Sequence, residues 1–315
     1  MTSRLAQLKQ HSTIVVDTGD MDAISAFAPT DATTNPSLVF AAAKLGAYQS
    51  VLDAARRQAD AMPGDSQKKA AAMADALAVA FGCKILDKIP GRVSTEVDVR
   101  HSFDQDATIA AAESIIDRYA AYGIAKERVL IKIAATWEGV QAASVLEARG
   151  IACNLTLIFC AEQAQLAADA GVTLISPFVG RITDWYKKNR PAMHDGDPGV
   201  MSVQKIYQMI KQGGYATEIM AASFRTTDQI EALAGCDLLT ISPDLLSQLQ
   251  QADGVVERQL LPDYAERIKK QPFLQAQFRW QLNQDAMAAE LLADGIRRFY
   301  NDTIALIEQC HYLLQ

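Results

Sequence analysis

The sequence predicts a parallel α/β protein, a single (β/α)8 barrel of the TIM type with additional helices, and three observations predict it. Branched-apolar runs alternate with helical patterns that stop at glycine, as at Gly123, Gly150, Gly171 and Gly235, glycine past a helix end being a common cap. The strand, helix, glycine unit recurs every roughly twenty residues, which stacks βα units into a parallel sheet. Eight candidate strands begin at residues 13, 32, 93, 129, 152, 172, 216 and 238. Eight units, with no Gly-rich dinucleotide fingerprint after the first strand, favour a closed barrel over an open doubly wound sheet.

Met1 to Gln10 lacks the apolar stretch of a signal peptide and reads as a short amphipathic helix, which predicts a cytoplasmic protein. Ser12 to Asp20 holds a strand that stops at Asp17 and turns at Gly19, and the helix after it ends before Pro29. In Asp31-Ala32-Thr33-Thr34-Asn35-Pro36-Ser37-Leu38, Asn35 suits a helix N-cap and Pro36 the first helical position, ahead of an apolar run from Leu38 to Leu45. Two Ala-rich helical patterns fill roughly Ala47 to Ile89, interrupted at Pro63-Gly64-Asp65-Ser66, and Pro90-Gly91 closes them. Arg92 to Val99 alternates apolar and polar residues as a strand does. Gln105 to Tyr122 is helical, and Arg128-Val129-Leu130-Ile131-Lys132-Ile133 reads as a buried strand with one ammonium among branched apolar residues. Thr136 to Arg149 and Ala161 to Ala170 are helical, with strands at Ile151 to Phe159 and Val172 to Phe178. Arg181 opens a longer connection containing Trp185, Tyr186 and the turn Asp195-Gly196-Asp197-Pro198. A helix from Ser202 to Gln212, a strand from Ala216 to Ser223, a helix ending at Gly235 and a strand from Leu238 to Ser242 complete the units. Beyond about Pro262 the pattern is helical with no strand partner, so residues 1–315 read as one barrel domain whose tail, about 262–315, packs over it.

Composition narrows the function classes. Half the residues are hydrophobic, 21% are charged and mean hydropathy is close to zero, the profile of a globular enzyme. A formal charge of -7 argues against non-specific nucleic-acid binding. No uncharged apolar run is long enough for a membrane span. The five cysteines, Cys83, Cys153, Cys160, Cys236 and Cys310, are scattered among apolar neighbours and read as reduced core thiols. Neither they nor the four histidines, His11, His101, His194 and His311, cluster at metal-ligand spacings, so no metal is expected.

Lysine is almost never fully buried without a partner or a task. Lys132 therefore either marks the wet end of its strand, snorkelling into solvent, or is functional. Its company favours the second reading. Barrel strands carry their functional groups at their C-terminal ends, and reading each strand to that end yields Asp17, Thr33 with Asn35, Glu96, Lys132, Asn154 with Thr156, Ser176, and Ser223 with Arg225. A desolvated lysine keeps a usable fraction of neutral amine for attack on a ketone. Dehydrating the carbinolamine needs a general acid and retro-aldol cleavage needs a base, tasks that Asp17 and Glu96 can divide. A buried Lys-carboxylate ion pair is the structural alternative. Arg181 and Arg225 follow late strands at the same face, where their planar guanidinium groups suit a phosphate, surface salt bridging being the plainer role for each.

Several segments resemble the transaldolases: Val16-Asp17-Thr18-Gly19-Asp20, the Asp31 to Leu38 stretch, Gly91-Arg92-Val93-Ser94-Thr95-Glu96-Val97-Asp98, Ile131-Lys132-Ile133-Ala134-Ala135-Thr136-Trp137, Cys153-Asn154-Leu155-Thr156-Leu157, Ile175-Ser176-Pro177-Phe178-Val179-Gly180-Arg181 and Ala222-Ser223-Phe224-Arg225. The resemblance runs in order over nearly the whole chain and includes Trp280-Gln281-Leu282-Asn283-Gln284-Asp285 in the tail. It implies a metal-free, cofactor-free class I transferase of carbohydrate metabolism, in the pentose phosphate pathway. Such an enzyme moves a dihydroxyacetone unit from sedoheptulose 7-phosphate to glyceraldehyde 3-phosphate, giving erythrose 4-phosphate and fructose 6-phosphate. By the same resemblance Lys132 forms the Schiff base, Asp17 is the acid/base at the cleaved bond, and Glu96 with Thr156 holds the proton-shuttling water. Asn35, Asn154 and Ser176, with Thr33 nearby, position the dihydroxyacetone moiety, while Arg181, Ser223 and Arg225 bind the phosphate. Phe178 is a candidate for the dry wall that keeps water from the enamine, core packing being its plainer role. The family implies a homodimer. A fructose 6-phosphate aldolase-like lyase using the same lysine is the nearest alternative, and a non-catalytic sugar-phosphate-binding protein is an alternative of another class.

Overall fold

The structure, a computed structural model, describes residues 2–44, 48–191, 196–262 and 273–315. Strands β1 (Thr13–Asp17), β2 (Asp31–Thr33), β3 (Val93–Glu96), β4 (Val129–Ala134), β5 (Cys153–Ile158), β6 (Leu174–Pro177), β7 (Glu218–Ala221) and β8 (Leu238–Ile241) close in chain order. All neighbouring pairs run parallel, β8 returning to β1 with Thr13 beside Leu238. Helices α1 (Arg4–Leu8), α2 (Met21–Phe27), α3 (Pro36–Ala43), α4 (Gln49–Asp60), α5 (Ser66–Leu86), α6 (Gln105–Ala121), α7 (Trp137–Ala148) and α8 (Ala161–Asp169) surround the strands, with α3, α4 and α5 all between β2 and β3. They are followed by α9 (Gly180–Asn189), α10 (Pro198–Gln212), α11 (Thr227–Glu231), α12 (Pro243–Gln251), α13 (Gln275–Gln284) and α14 (Ala286–Leu314).

Strand alternation explains where the core ends and the site begins. Val15, Leu130, Leu174, Met220 and Leu238 form one apolar layer inside the barrel. Two residues further along the same strands, on the same side, stand Asp17, Lys132, Ser176, Ala222 and Thr240. The intervening residues, among them Ile131, Ile133, Leu155, Ile175 and Leu239, face outward into the core shared with the helices. Burying each such side chain contributes about 1.5–3 kcal/mol. At the opposite end Arg92 pairs with Asp31 at 3.0 Å and with Glu218 at 2.8 Å, tying β2 to β7 across the barrel bottom.

The expected N-cap is present: Asn35 accepts the Leu38 N–H at 2.9 Å, with Pro36 in the first turn of α3. Elsewhere the structure corrects the boundaries. Arg181, Trp185 and Tyr186 lie in α9, not in an irregular connection. That helix starts at Gly180 without a side-chain cap, so its start carries no local signal. Asp197-Pro198 opens α10, four residues before the expected Ser202, by the same cap-and-proline device as Asn35-Pro36. β5, β6 and β7 begin at Cys153, Leu174 and Glu218, later than expected, and β2 begins at Asp31. Ser223 is not in β7, which ends at Ala221; its φ of 64° is left-handed backbone, outside the extended range of a regular strand. Expectations touching Leu45, Ala47, His194, Asp195 and residues 263–272 of the tail lie outside the described residues.

The tail positions the site directly. Near its C-terminal end α14 packs Leu306 and Cys310 on the main core. Nearer its start, Met287, Leu292 and Phe299 join Leu157, Phe159, Phe178 and Ala222 in a second cluster over the barrel mouth. Gly295 permits this approach, since a Cβ there would fall 2.6 Å from Leu157 Cδ2. Among the described residues no helix is long and apolar enough to cross a membrane.

Candidate active site

A cavity of about 230 Å³ opens at the C-terminal ends of the strands. Lys132 lines it and is only 6% exposed, which removes the snorkelling alternative. The β3–β4 register sets Glu96 beside Lys132, and the β4–β5 register sets Asn154 on its other side. Lys132 Nζ stands 3.3 Å from Glu96 Oε2, 3.5 Å from the Thr34 carbonyl and 5.3 Å from the centre of the Phe299 ring. Glu96 does not line the cavity; its side chain is 3% exposed behind the lysine. Burial pushes its carboxyl above the usual range, and the Lys132 ammonium opposes that rise without cancelling it. Glu96 Oε2 meets only Lys132, at ion-pair distance, while Glu96 Oε1 and buried Thr156 Oγ1 have no hydrogen-bond partner among the described residues.

Asp17 ends β1 beside Thr33, whose hydroxyl donates to Asp17 Oδ1 at 2.9 Å. Asn154 links two further strands: its amide donates to Ser94 Oγ at 3.0 Å, and Ser176 Oγ donates to its carbonyl oxygen at 2.6 Å. Asn35 also lines the cavity. Its oxygen is committed to Leu38 N–H and Ser37 Oγ, so its NH2 is what it can offer a ligand.

At one side of the cavity Arg181 lies against two rings, its guanidinium 4.8 Å from Phe178 and 5.6 Å from Phe299. Burial, with Arg298 and Arg225 nearby, lowers its pKa, and its Nη1 is buried without a hydrogen-bond partner among the described residues. Ser223 turns back in its left-handed conformation so that its carbonyl accepts the Gly180 N–H at 2.7 Å. Arg225 donates to Ser223 Oγ at 3.2 Å and holds Asp184 through two nitrogens at 2.9 and 3.0 Å. Phe178 stacks edge-on against Phe159, 5.5 Å between centres.

One lysine and two carboxylates are thus gathered at one end of the barrel, beside a concave wall of neutral hydrogen-bonding groups and an arginine pair. That set can bind a polyhydroxylated anion and move protons around an amine. The family model described as transaldolase/fructose-6-phosphate aldolase matches residues 14–310. The chain belongs to that family. It is 54% identical to a transaldolase of Cellvibrio japonicus (strain Ueda107) over 310 residues, 97% of each chain. It is 50% identical to a transaldolase of Marinomonas sp. (strain MWYL1) over 316 residues, covering both in full. Family and full-length matches together support transaldolase function, and hence an enzyme of the transferase class.

Within this transaldolase-family barrel, eleven of the twelve residues singled out from sequence line the cavity, namely Asp17, Thr33, Asn35, Lys132, Asn154, Thr156, Ser176, Phe178, Arg181, Ser223 and Arg225. Glu96 is the twelfth and reaches it through Lys132. Sequence reading missed Met220, Ala222, Phe224, Thr240, Ser242 and Phe299. Alternation from Leu238 would have found Thr240, on its side of β8, and Ser242, just past the strand's end. Nothing local could have found Phe299, since a helix from the far end of the chain brings it to the mouth.

Proposed function

We propose that the chain performs the transaldolase reaction by covalent catalysis on Lys132, with sedoheptulose 7-phosphate as donor and glyceraldehyde 3-phosphate as acceptor. The observation that carries this reading is the buried Lys132 amine, facing a cavity and backed at 3.3 Å by a carboxyl that burial biases toward its protonated form. The neutral amine attacks the donor ketone, and the carbinolamine loses water to an iminium. Glu96 supplies the proton through a water that it holds with Thr156, a role suited to their unused hydrogen-bonding capacity.

Asp17 takes the proton of the hydroxyl adjoining the scissile bond. The carbon–carbon bond breaks, its electron pair flows to the iminium, and erythrose 4-phosphate leaves. The enamine retained on Lys132 attacks the acceptor aldehyde, Asp17 returns its proton to the new alkoxide, and hydrolysis releases fructose 6-phosphate. Asn35, Asn154 and Ser176, with Thr33 behind Asp17, orient the three-carbon unit. Arg181, Ser223 and Arg225 take the phosphate, a role that the unpaired Arg181 Nη1 supports. Phe178, backed by Phe159, and Phe299, 5.3 Å from the amine, screen the enamine from water.

The same reading takes the chain as one barrel domain with the tail packed on it, supported by the burial of Phe299 and Leu306. It also takes the enzyme as a cytoplasmic homodimer in the pentose phosphate pathway, on family resemblance. Product analysis with and without acceptor tests the transfer. With fructose 6-phosphate alone, turnover should be slow, and erythrose 4-phosphate should raise it while yielding sedoheptulose 7-phosphate. Fast release of free dihydroxyacetone, indifferent to acceptor, would make the enzyme a lyase instead.

A further inference from the structure

We propose that Gln229 is a positioning residue for the phosphate end of the substrate, setting the spacing of Arg181 and Arg225 from beneath the cavity. The proposal rests on the reading that these two arginines take the sugar phosphate. Gln229 is 5% exposed and is not among the residues lining the cavity, so any effect on substrate passes through its partners. Its side-chain oxygen accepts the Arg225 backbone N–H at 2.8 Å. Its amide nitrogen donates to Asp197 Oδ2 at 2.7 Å and to Thr183 Oγ1 at 3.2 Å.

Those partners belong to three segments. Arg225 follows β7, Thr183 lies in α9 two residues after Arg181, and Asp197 caps α10. Asp197 closes the network through its other oxygen, which accepts Thr183 Oγ1 at 2.6 Å and the N–H groups of Gly199 and Val200 at 2.9 and 3.1 Å. A primary amide can accept from one backbone group while donating to two oxygens, which neither an apolar nor a carboxylate side chain can do.

The packing around this network leaves little room for movement. A Cβ on Gly180 would fall 2.3 Å from the Ser223 carbonyl oxygen, and one on Gly199 would fall 2.1 Å from that of Val179. The start of α9 is therefore held between the Arg225 segment and α10, and Gln229 is the side chain bonded to all three. Removing its amide leaves the Arg225 N–H and Asp197 Oδ2 short of a partner and frees the two arginines to shift relative to each other. Small displacements of this kind are costly for a ligand gripped at two points.

The test is Gln229→Met, which keeps the bulk and removes the hydrogen bonds, with inorganic phosphate as a competitive probe. The inhibition constant for phosphate and the KM for fructose 6-phosphate should each rise about tenfold, while kcat/KM for unphosphorylated fructose stays within about twofold. Thr183→Val, should Gln229→Met not fold, is judged on the same constants and should move them in the same direction. Arg225→Ala is the control for the underlying reading. If Arg225→Ala weakens phosphate binding but Gln229→Met lowers only the melting temperature, Gln229 is structural and the proposal is wrong. If Arg225→Ala leaves phosphate binding unchanged, the phosphate reading fails and takes the proposal with it.

Discussion

Lys132→Ala should lower turnover by roughly four orders of magnitude or more, because it removes the proposed nucleophile. The circular-dichroism spectrum should stay that of the wild type, and a mutant turning over at wild-type rate would refute the role. Arg225→Ala should raise KM for phosphorylated substrates by about ten- to a hundredfold and affect unphosphorylated ones much less; equal losses on both would count against a phosphate contact. At this scale much of the site was legible. Lys132 stood out as an ammonium inside a branched-apolar strand, and Asp17 and Glu96 as carboxylates at strand ends. What alternation could not convey is depth: Glu96 sits behind the lysine and not in the cavity wall. Nor could it convey backbone twist, for Ser223 read as the end of a strand yet lies at φ 64°.

Among elements, legibility follows the caps. Asn35-Pro36 announced α3, and Asp197-Pro198 carries the same signature for α10, whereas α9 begins at a capless Gly180 and was invisible as a helix. The Asp197 cap leads to a pH prediction. Burial works against its charge, but hydrogen bonds from Thr183, Gln229 and the Val200 and Gly199 N–H groups outweigh this and hold its carboxyl below the ordinary aspartate range. A depressed folded pKa stabilises above the unfolded value and is lost as pH falls through the folded one. Asp197→Asn should therefore cost about 1 kcal/mol at neutral pH, and melting curves of mutant and wild type should converge as pH falls below the ordinary aspartate range and both side chains become neutral; a pH-independent gap would contradict this. At the barrel bottom, Arg92→Ala should cost about 1–3 kcal/mol, discounted for partial exposure. It should leave KM unchanged, because the bottom face of such barrels serves stability.

For the molecule as a whole, eight βα units in chain order were readable from periodicity, and the closed parallel sheet follows from them. The closure of its mouth was not readable. α14 returns from the far end of the chain to lay Phe299 beside Lys132 and Arg181, a long-range contact that no window of the sequence contains. That lid bears on the difference between transfer and cleavage, since a retained enamine survives only while water is kept from it. Phe299→Leu should cost about 1–2 kcal/mol of stability and raise the ratio of free dihydroxyacetone to transferred product. An unchanged ratio would show that Phe178 and the strand ends screen the enamine by themselves.

The mechanism requires a covalent bond at Lys132, and borohydride traps such a bond. Enzyme incubated with fructose 6-phosphate and reduced with borohydride should lose activity and carry a dihydroxyacetone-derived mass on the peptide containing Lys132, in proportion to the activity lost. An unmodified Lys132 peptide, recovered under conditions where turnover is measured, would contradict the mechanism.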